Sequence, residues 1–272
     1  MSDDRRFEGL KIQPRGPSGL AGRPTDDKLG LGTKPDGVAH LEELLTELNN
    51  LHRRLWAEST RSLLLVLQGM DTSGKDSTVR HVLSGLNPQG CQVTSFKVPN
   101  DTDIAHDYLW RVHAVCPERG RLGVFNRSHY EDVLAARFGG AVTREEARRR
   151  YRHIREFERL LDDEGTTVVK VFLHLSKEEQ TARLERRLGD ATRAWKFQLS
   201  DLDARRDWDD YQTLYDEVLA ETSTVHAPWH VVPADRKWVR NVVVATLLVE
   251  ALRRLDPQIP SPDPSFAGIV IH

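Results

Sequence analysis

Two cysteines and two methionines among 272 residues leave little room for sulfur chemistry. Cys91 and Cys116 are too few for a disulfide framework, and neither has a second cysteine at CxxC spacing, so both are expected as reduced thiols. Long apolar runs are missing too. The longest, Leu63–Leu67 and Val242–Val249, fall far short of the roughly 20 residues that span a bilayer, and no membrane partner is expected. Met1-Ser2-Asp3-Asp4-Arg5-Arg6 leads into polar sequence rather than a secretory signal, which makes the cytoplasm the expected location. Charge of one sign is not in excess: 39 Lys and Arg face 41 Asp and Glu, for a net charge of −2. That balance argues against wholesale nucleic-acid binding and leaves room for a local basic groove. With 39% hydrophobic and 29% charged residues the chain is too apolar for general disorder.

Composition divides the chain into three. Residues 1–37 hold seven of the 18 glycines and four of the 13 prolines, and 256–272 hold four more prolines. Both ends read as arms, an N-terminal arm over 1–37 and a tail over 256–272, flanking one catalytic domain over 38–255. Within it, short apolar runs suited to buried strands occur at Leu63–Leu67, Val93–Val98, Leu122–Phe125, Val168–Leu175 and Trp229–Val232. Helical patterns lie between them, near 40–58, 75–86, 103–114, 143–162, 177–188, 207–221 and 236–254. The first aligns Leu41, Leu44, Leu45, Leu48, Leu51 and Leu55, and the fourth aligns Ala147, Tyr151, Ile154 and Leu161. Alternation of this kind predicts an α/β fold in three layers, with a five-stranded parallel sheet covered on both faces.

The first strand runs into Gly69-Met70-Asp71-Thr72-Ser73-Gly74-Lys75-Asp76-Ser77-Thr78 and then a helix, the strand–GxxxxGK–helix order of a phosphate-binding loop (P-loop). Glycines let the backbone curl so that successive N–H groups face phosphate oxygens, the helix N-terminus adds partial positive charge, and Lys75 adds a full one. Gly69, Ser73, Gly74, Lys75, Asp76 and Ser77 are the expected phosphate-binding set. Asp76 stands where such loops usually carry Ser or Thr. Together with Asp71 it suits transfer onto a second phosphate better than hydrolysis, with Asp71 sharing a divalent ion or polarising the acceptor oxygen.

The third strand ends in Asn126-Arg127-Ser128-His129-Tyr130-Glu131-Asp132, on the side where ligands of parallel sheets gather. Arg127 is expected on phosphate and Glu131 and Asp132 are carboxylates for Mg²⁺, whereas His129 is expected to pack or hydrogen-bond rather than act as a base. After the fourth strand, Arg183 and Arg187 lie i, i+4 on one helix face and predict a lid, about 180–205, that closes cations over the transferring phosphates. Seven arginines over 144–159 alternate with glutamates and predict a salt-bridged exposed helix.

The P-loop, the Phe125–Val133 segment, the lid ending Trp195-Lys196-Phe197, and His226-Ala227-Pro228-Trp229 with Pro233-Ala234-Asp235-Arg236-Lys237-Trp238 together resemble polyphosphate kinase 2. The resemblance covers about 40–255. It implies a P-loop kinase-like fold with a helical lid, and reversible Mg²⁺-dependent transfer of the terminal phosphoryl group of inorganic polyphosphate to a nucleotide, with Mn²⁺ as a substitute. By position, Asp71 and Lys75 match the loop acid and lysine, Asp132 the magnesium-binding acid, Arg127 the arginine after the third strand, and Arg183, Arg187 and Lys196 the lid cations. Asp71 and Asp132 are then the expected metal ligands. The His-Tyr-Glu-Asp form is similar to the branch that accepts nucleoside mono- and diphosphates, here AMP and ADP. Asp190-Ala191-Thr192-Arg193 departs from the usual Asp-Pro-x-Lys of the lid, Arg193 keeping the charge. Lys97, Arg236, Lys237 and Arg240 are candidates for the polyphosphate channel, and Arg111, Asn126 and Glu131 for the acceptor nucleotide. Long amphipathic helices and the resemblance imply a homodimer or homotetramer. The competing readings are an ATP-dependent nucleoside monophosphate kinase of the thymidylate-kinase type and a non-catalytic nucleotide sensor.

Overall fold

The computed structural model describes residues 6–197, 202, 205–266, 269 and 271. Five strands form one parallel sheet: β1 (Ser62–Gln68), β2 (Cys91–Ser95), β3 (Leu122–Asn126), β4 (Thr166–His174) and β5 (Trp229–Pro233), in the order β2-β3-β1-β4-β5. The central β1 is buried at every position, because helices cover both faces of a parallel sheet. The α/β expectation is met, with one difference at the edge. The run Val93–Val98 yields only β2, half-exposed because it has one neighbour, and Val98 lies outside it and is exposed.

On one face, α1 (Lys34–Glu58) packs against α9 (Lys237–Leu255). Thr33 and Asp36 close a capping box at the start of α1, which fixes where the helix begins. A Cβ at Gly37 would fall 2.2 Å from the Trp238 ring, so only glycine lets the two helices meet there. The Val242–Val249 run is the middle of α9, buried on all sides under the sheet. Among the described residues, no helix is long and apolar enough to cross a membrane.

The other face carries α6 (Arg144–Asp163) and α8 (Trp208–Thr222), with Ala147, Tyr151, Ile154 and Leu161 buried as their spacing predicts. Short helices occupy the carboxyl ends of the strands: α2 (Lys75–Val82), α3 (Asp101–Ile104), α4 (Trp110–His113), α5 (Ala135–Phe138) and α7 (Lys177–Leu188). The helix expected over 103–114 is two separate turns, each ended within four residues.

The N-terminal segment departs from its expected arm-like character. Phe7, Leu10, Ile12, Leu20 and Leu31 are buried among core residues. Lys11 bridges antiparallel to His230 and Ile12 N–H donates to Trp229 O at 2.9 Å, so the segment straps the free edge of β5. Leu20 N–H donates to Asp216 at 2.9 Å, and Thr25 Oγ1 to Asp235 at 2.7 Å. Glycine and proline spell out a winding path, but a few well-spaced apolar side chains are enough to seat it. At the other end, residues 258–265 are exposed.

Candidate active site

The loop between β1 and α2 curls because three residues adopt left-handed or extended-positive φ: Gly69 at 150°, Thr72 at 65° and Gly74 at 102°. A Cβ at Gly74 would lie 1.9 Å from Arg240 Nη1, so glycine is required there by contact as well as by conformation. Lys75 folds back over the loop, its Nζ donating to Gly69 O at 2.7 Å and Met70 O at 3.2 Å. It is buried, and burial together with Arg127 pushes its pKa down to about 8 against the pull of Asp71, Glu131 and Asp76. The hydroxyls of Thr72 and Ser73 are buried and without hydrogen-bond partners among the described residues. Unpaired hydroxyls beside a cation that rests on neutral carbonyls define a place for an anion.

Across the loop, Arg127 at the end of β3 stands at φ 62° and reaches two carboxylates, Asp71 and Glu131. Burial would lower its pKa, but Glu131 and Asp71 outweigh that and hold it above the usual arginine range. Asp132 belongs to a separate chain: Arg111 Nη2 donates to it at 3.1 Å and Arg111 Nη1 lies 3.9 Å from Asp103. Burial raises the Asp132 pKa, opposed by Arg111. Asn126 donates to Asp76 at 2.8 Å. Asp71, Lys75, Asp76, Asn126, Arg127 and Glu131 are thus brought together by direct contacts or electrostatic coupling.

Beneath the His129–Asp132 turn lies a closed polar knot. Lys170 on β4 donates to Glu158 at 2.6 Å, to Tyr130 Oη at 2.9 Å and to Thr222 O at 2.7 Å, and Tyr130 Oη donates to Glu158 at 2.7 Å. His129 contacts Glu158 at 3.3 Å, in the hydrogen-bonding role expected of it.

Several expected phosphate ligands are engaged elsewhere. Arg183 Nε donates to Glu179, its Nη1 to Thr72 O and Ser73 O, and its Nη2 to Ala234 O and Asp235 O, which uses all five of its N–H groups. Arg183 is therefore built into the base of the site rather than held over it as a lid cation, and the first two turns of α7 are tied down with it. Arg236 bonds Asp26 and holds the N-terminal strap. The Ser77 hydroxyl accepts from Arg240 at 3.2 Å. Arg111 serves Asp132 and Lys97 O rather than an open acceptor pocket, and Lys97 itself is exposed. Lys237 is exposed at the start of α9, its pKa lowered by burial of its stem and by Arg183, Arg186 and Arg240. Arg187 is half-buried on α7, and Lys196 sits in a one-turn helix, Ala194–Lys196. Part of the lid, residues 198–201, 203 and 204, lies outside the described residues.

Two contributors escaped the sequence reading. Gln180 Nε2 donates to Asp71 O at 3.1 Å, and Asp235 holds the start of α7 through Ser176 N–H at 2.9 Å. Gln180 is polar but fully buried, which no spacing reveals.

A parallel sheet with a P-loop at the end of its central strand, faced by arginine and carboxylates, defines a P-loop phosphotransferase. Residues 32–260 match the family model described as Polyphosphate kinase 2 (PPK2). The chain belongs to that family. It is 47% identical, over 96% of its length and 98% of the relative's, to an AMP/ADP-polyphosphate phosphotransferase of Meiothermus ruber. It is 42% identical, over 88% of its length and 91% of the relative's, to an ADP-polyphosphate phosphotransferase of Rhodopseudomonas palustris. The crystal structure of polyphosphate kinase 2 from Arthrobacter aurescens TC1 superposes with a TM-score of 0.90 at 43% identity, covering 95% of this chain and 92% of that one.

Proposed function

We propose that this protein is a polyphosphate:AMP/ADP phosphotransferase, moving the terminal phosphoryl group of inorganic polyphosphate onto AMP to give ADP and onto ADP to give ATP, reversibly. The observation that carries the reading is the buried Lys75 ammonium lying on carbonyls next to two unpaired hydroxyls, in a chain 47% identical to an enzyme named for both acceptors. Phosphoryl transfer asks mainly for alignment and charge neutralisation, which suits a site made of one lysine, arginines and carboxylates.

Lys75 and the loop amides hold phosphate, and Arg127 carries positive charge to the reacting phosphoryl oxygens while anchored by Asp71 and Glu131. Glu131 faces the acceptor through Arg127. Arg187 and Lys196 serve as lid cations. The donor set fits a hard divalent cation: Mg²⁺ prefers one or two carboxylates plus substrate phosphates, and no cluster of three or more protein ligands occurs among the described residues. Asp71 would hold it, and Asp132 would join by exchanging its Arg111 partner. Bound there, Mg²⁺, or Mn²⁺ in its place, would neutralise charge on the transferring phosphates.

Incubation with polyphosphate, Mg²⁺ and either AMP or ADP, with no ATP added, tests the reading. ADP and then ATP are expected from AMP, and ATP from ADP. ADP formation that stops there would remove the second acceptor, and a strict need for ATP would make the protein a nucleoside monophosphate kinase.

A further inference from the structure

Three consecutive carbonyls of the P-loop are held from outside. Asp71 O accepts from Gln180 Nε2 at 3.1 Å, Thr72 O from Arg183 Nη1 at 3.0 Å, and Ser73 O from Arg183 Nη1 at 3.0 Å and Arg240 Nη1 at 3.2 Å. All three side chains are buried. In a trans peptide the C=O and the following N–H point in opposite directions. Holding these carbonyls outward therefore turns the N–H groups of Thr72, Ser73 and Gly74 the other way. Ser73 N–H closes a turn onto Met70 O at 3.1 Å, and the N–H groups of Thr72 and Gly74 have no backbone partner among the described residues. Those two amides are left for phosphate.

We propose that Gln180, Arg183 and Arg240 form an external brace that sets the peptide planes of the P-loop, making Arg183 a positioning residue and not a contact to the polyphosphate donor. Two more observations support it. Among the described residues Arg240 hydrogen-bonds only to neutral partners (Asn241, Ser73 O and Ser77), so a buried guanidinium lies behind the loop and biases it toward an anion in front. Arg183 Nη2 also donates to Ala234 O at 2.6 Å and Asp235 O at 3.0 Å, joining the loop to the turn after β5. A lysine at 183 keeps the charge but has three donors from a single atom, which cannot reproduce a planar fork serving five acceptors.

The brace takes from the proposed function only the choice of donor. Its test compares Arg183→Lys, Arg183→Met and Gln180→Met with the wild type, in kcat, in donor KM across a salt series, and in calorimetric binding of inorganic tripolyphosphate. A direct phosphate contact adds to the salt dependence of polyanion binding, and its loss flattens that dependence by about one unit of slope. Both Arg183 variants are expected to lose roughly 10²-fold in kcat, the scale of misplacing oxyanion donors, with the salt slope unchanged. Gln180→Met, which alters no charge, is expected to lose about tenfold in kcat and in tripolyphosphate affinity, in line with one charge-free hydrogen bond. Recovery of most activity by Arg183→Lys, or a flattened slope in Arg183→Met, would make Arg183 a donor contact and overturn the brace. Wild-type kinetics and binding in Gln180→Met would overturn it too, even if the Arg183 variants fail to fold. A wild type that ignores polyphosphate as donor refutes the functional reading alone, and the tripolyphosphate arm still decides the brace.

Discussion

Among the described residues two lysines are buried, Lys75 in the loop after β1 and Lys170 in the middle of β4, and their surroundings differ in one respect. Lys170 has Glu158 at 2.6 Å, with Tyr130 and Thr222 filling its remaining donors. Among the described residues Lys75 donates only to the carbonyls of Gly69 and Met70. Burial lowers the pKa of both, but Glu158 opposes the effect at Lys170 by direct contact, whereas at Lys75 the carboxylates act at a distance. A buried cation with a carboxylate in its grasp is complete in itself. One that rests on dipoles is arranged for a negative charge that arrives with the substrate, and this unequal neutralisation separates catalytic from structural charge more sharply than burial does.

The contrast can be broken at either lysine. Lys75→Ala is expected to lower kcat by roughly 10³-fold or more, as for removal of a donor aimed at developing charge. Its Tm should hold or rise, because a lysine whose folded pKa lies below 10.5 costs stability while charged, and that cost is present below pH about 8. A kcat above a tenth of wild type would remove Lys75 from catalysis. Lys170→Met should do the reverse. Stranding Glu158 is expected to cost about 3–5 kcal/mol, read in denaturant unfolding, and Lys170→Met/Glu158→Gln should recover most of it. A stable Lys170→Met with reduced kcat would erase the distinction.

Smaller effects sharpen it. Donor KM is expected to rise as pH passes about 8, where free Lys75 loses its proton, with kcat holding to higher pH because bound phosphate retains the proton. A flat KM between pH 7 and 9 would contradict the unneutralised lysine. Glu131→Ala, which frees Arg127 from one of its two carboxylates, should change the ratio of AMP to ADP turnover a few-fold and their sum less. An equal fall in both rates would place Glu131 outside acceptor discrimination.

The sequence shows the loop and the β3 turn because their chemistry is local: GxxxxGK and the Asn126–Asp132 run each lie within about ten residues, attached to strands whose apolar runs are legible. The surroundings of Arg183 are not legible, for the opposite reason. Its spacing from Arg187 gives the helix face, but its destination depends on carbonyls at positions 72, 73, 234 and 235, which only the folded sheet brings near. The same holds for Arg236 and Arg111, cations whose partners here, Asp26 and Asp132, are remote in sequence. The Lys170–Glu158 pair hides for another reason, since a lysine in the middle of Thr166–His174 reads as a strand's solvent face until α6 is laid over it.

The strap over β5 also bears on how the polypeptide is made. Ile12, Leu20 and Thr25 close onto Trp229, Asp216 and Asp235, about two hundred positions downstream. On a translating ribosome this segment emerges before the sheet it seats on and must wait, unseated, until β5 has left the exit tunnel. Contacts of such separation are slow to close and leave apolar side chains open to chaperones in the interval. For Phe7, Leu10 and Ile12, the glycine- and proline-rich surroundings limit the harm of that wait, since they resist the premature strand pairing that would bury the same residues in the wrong place.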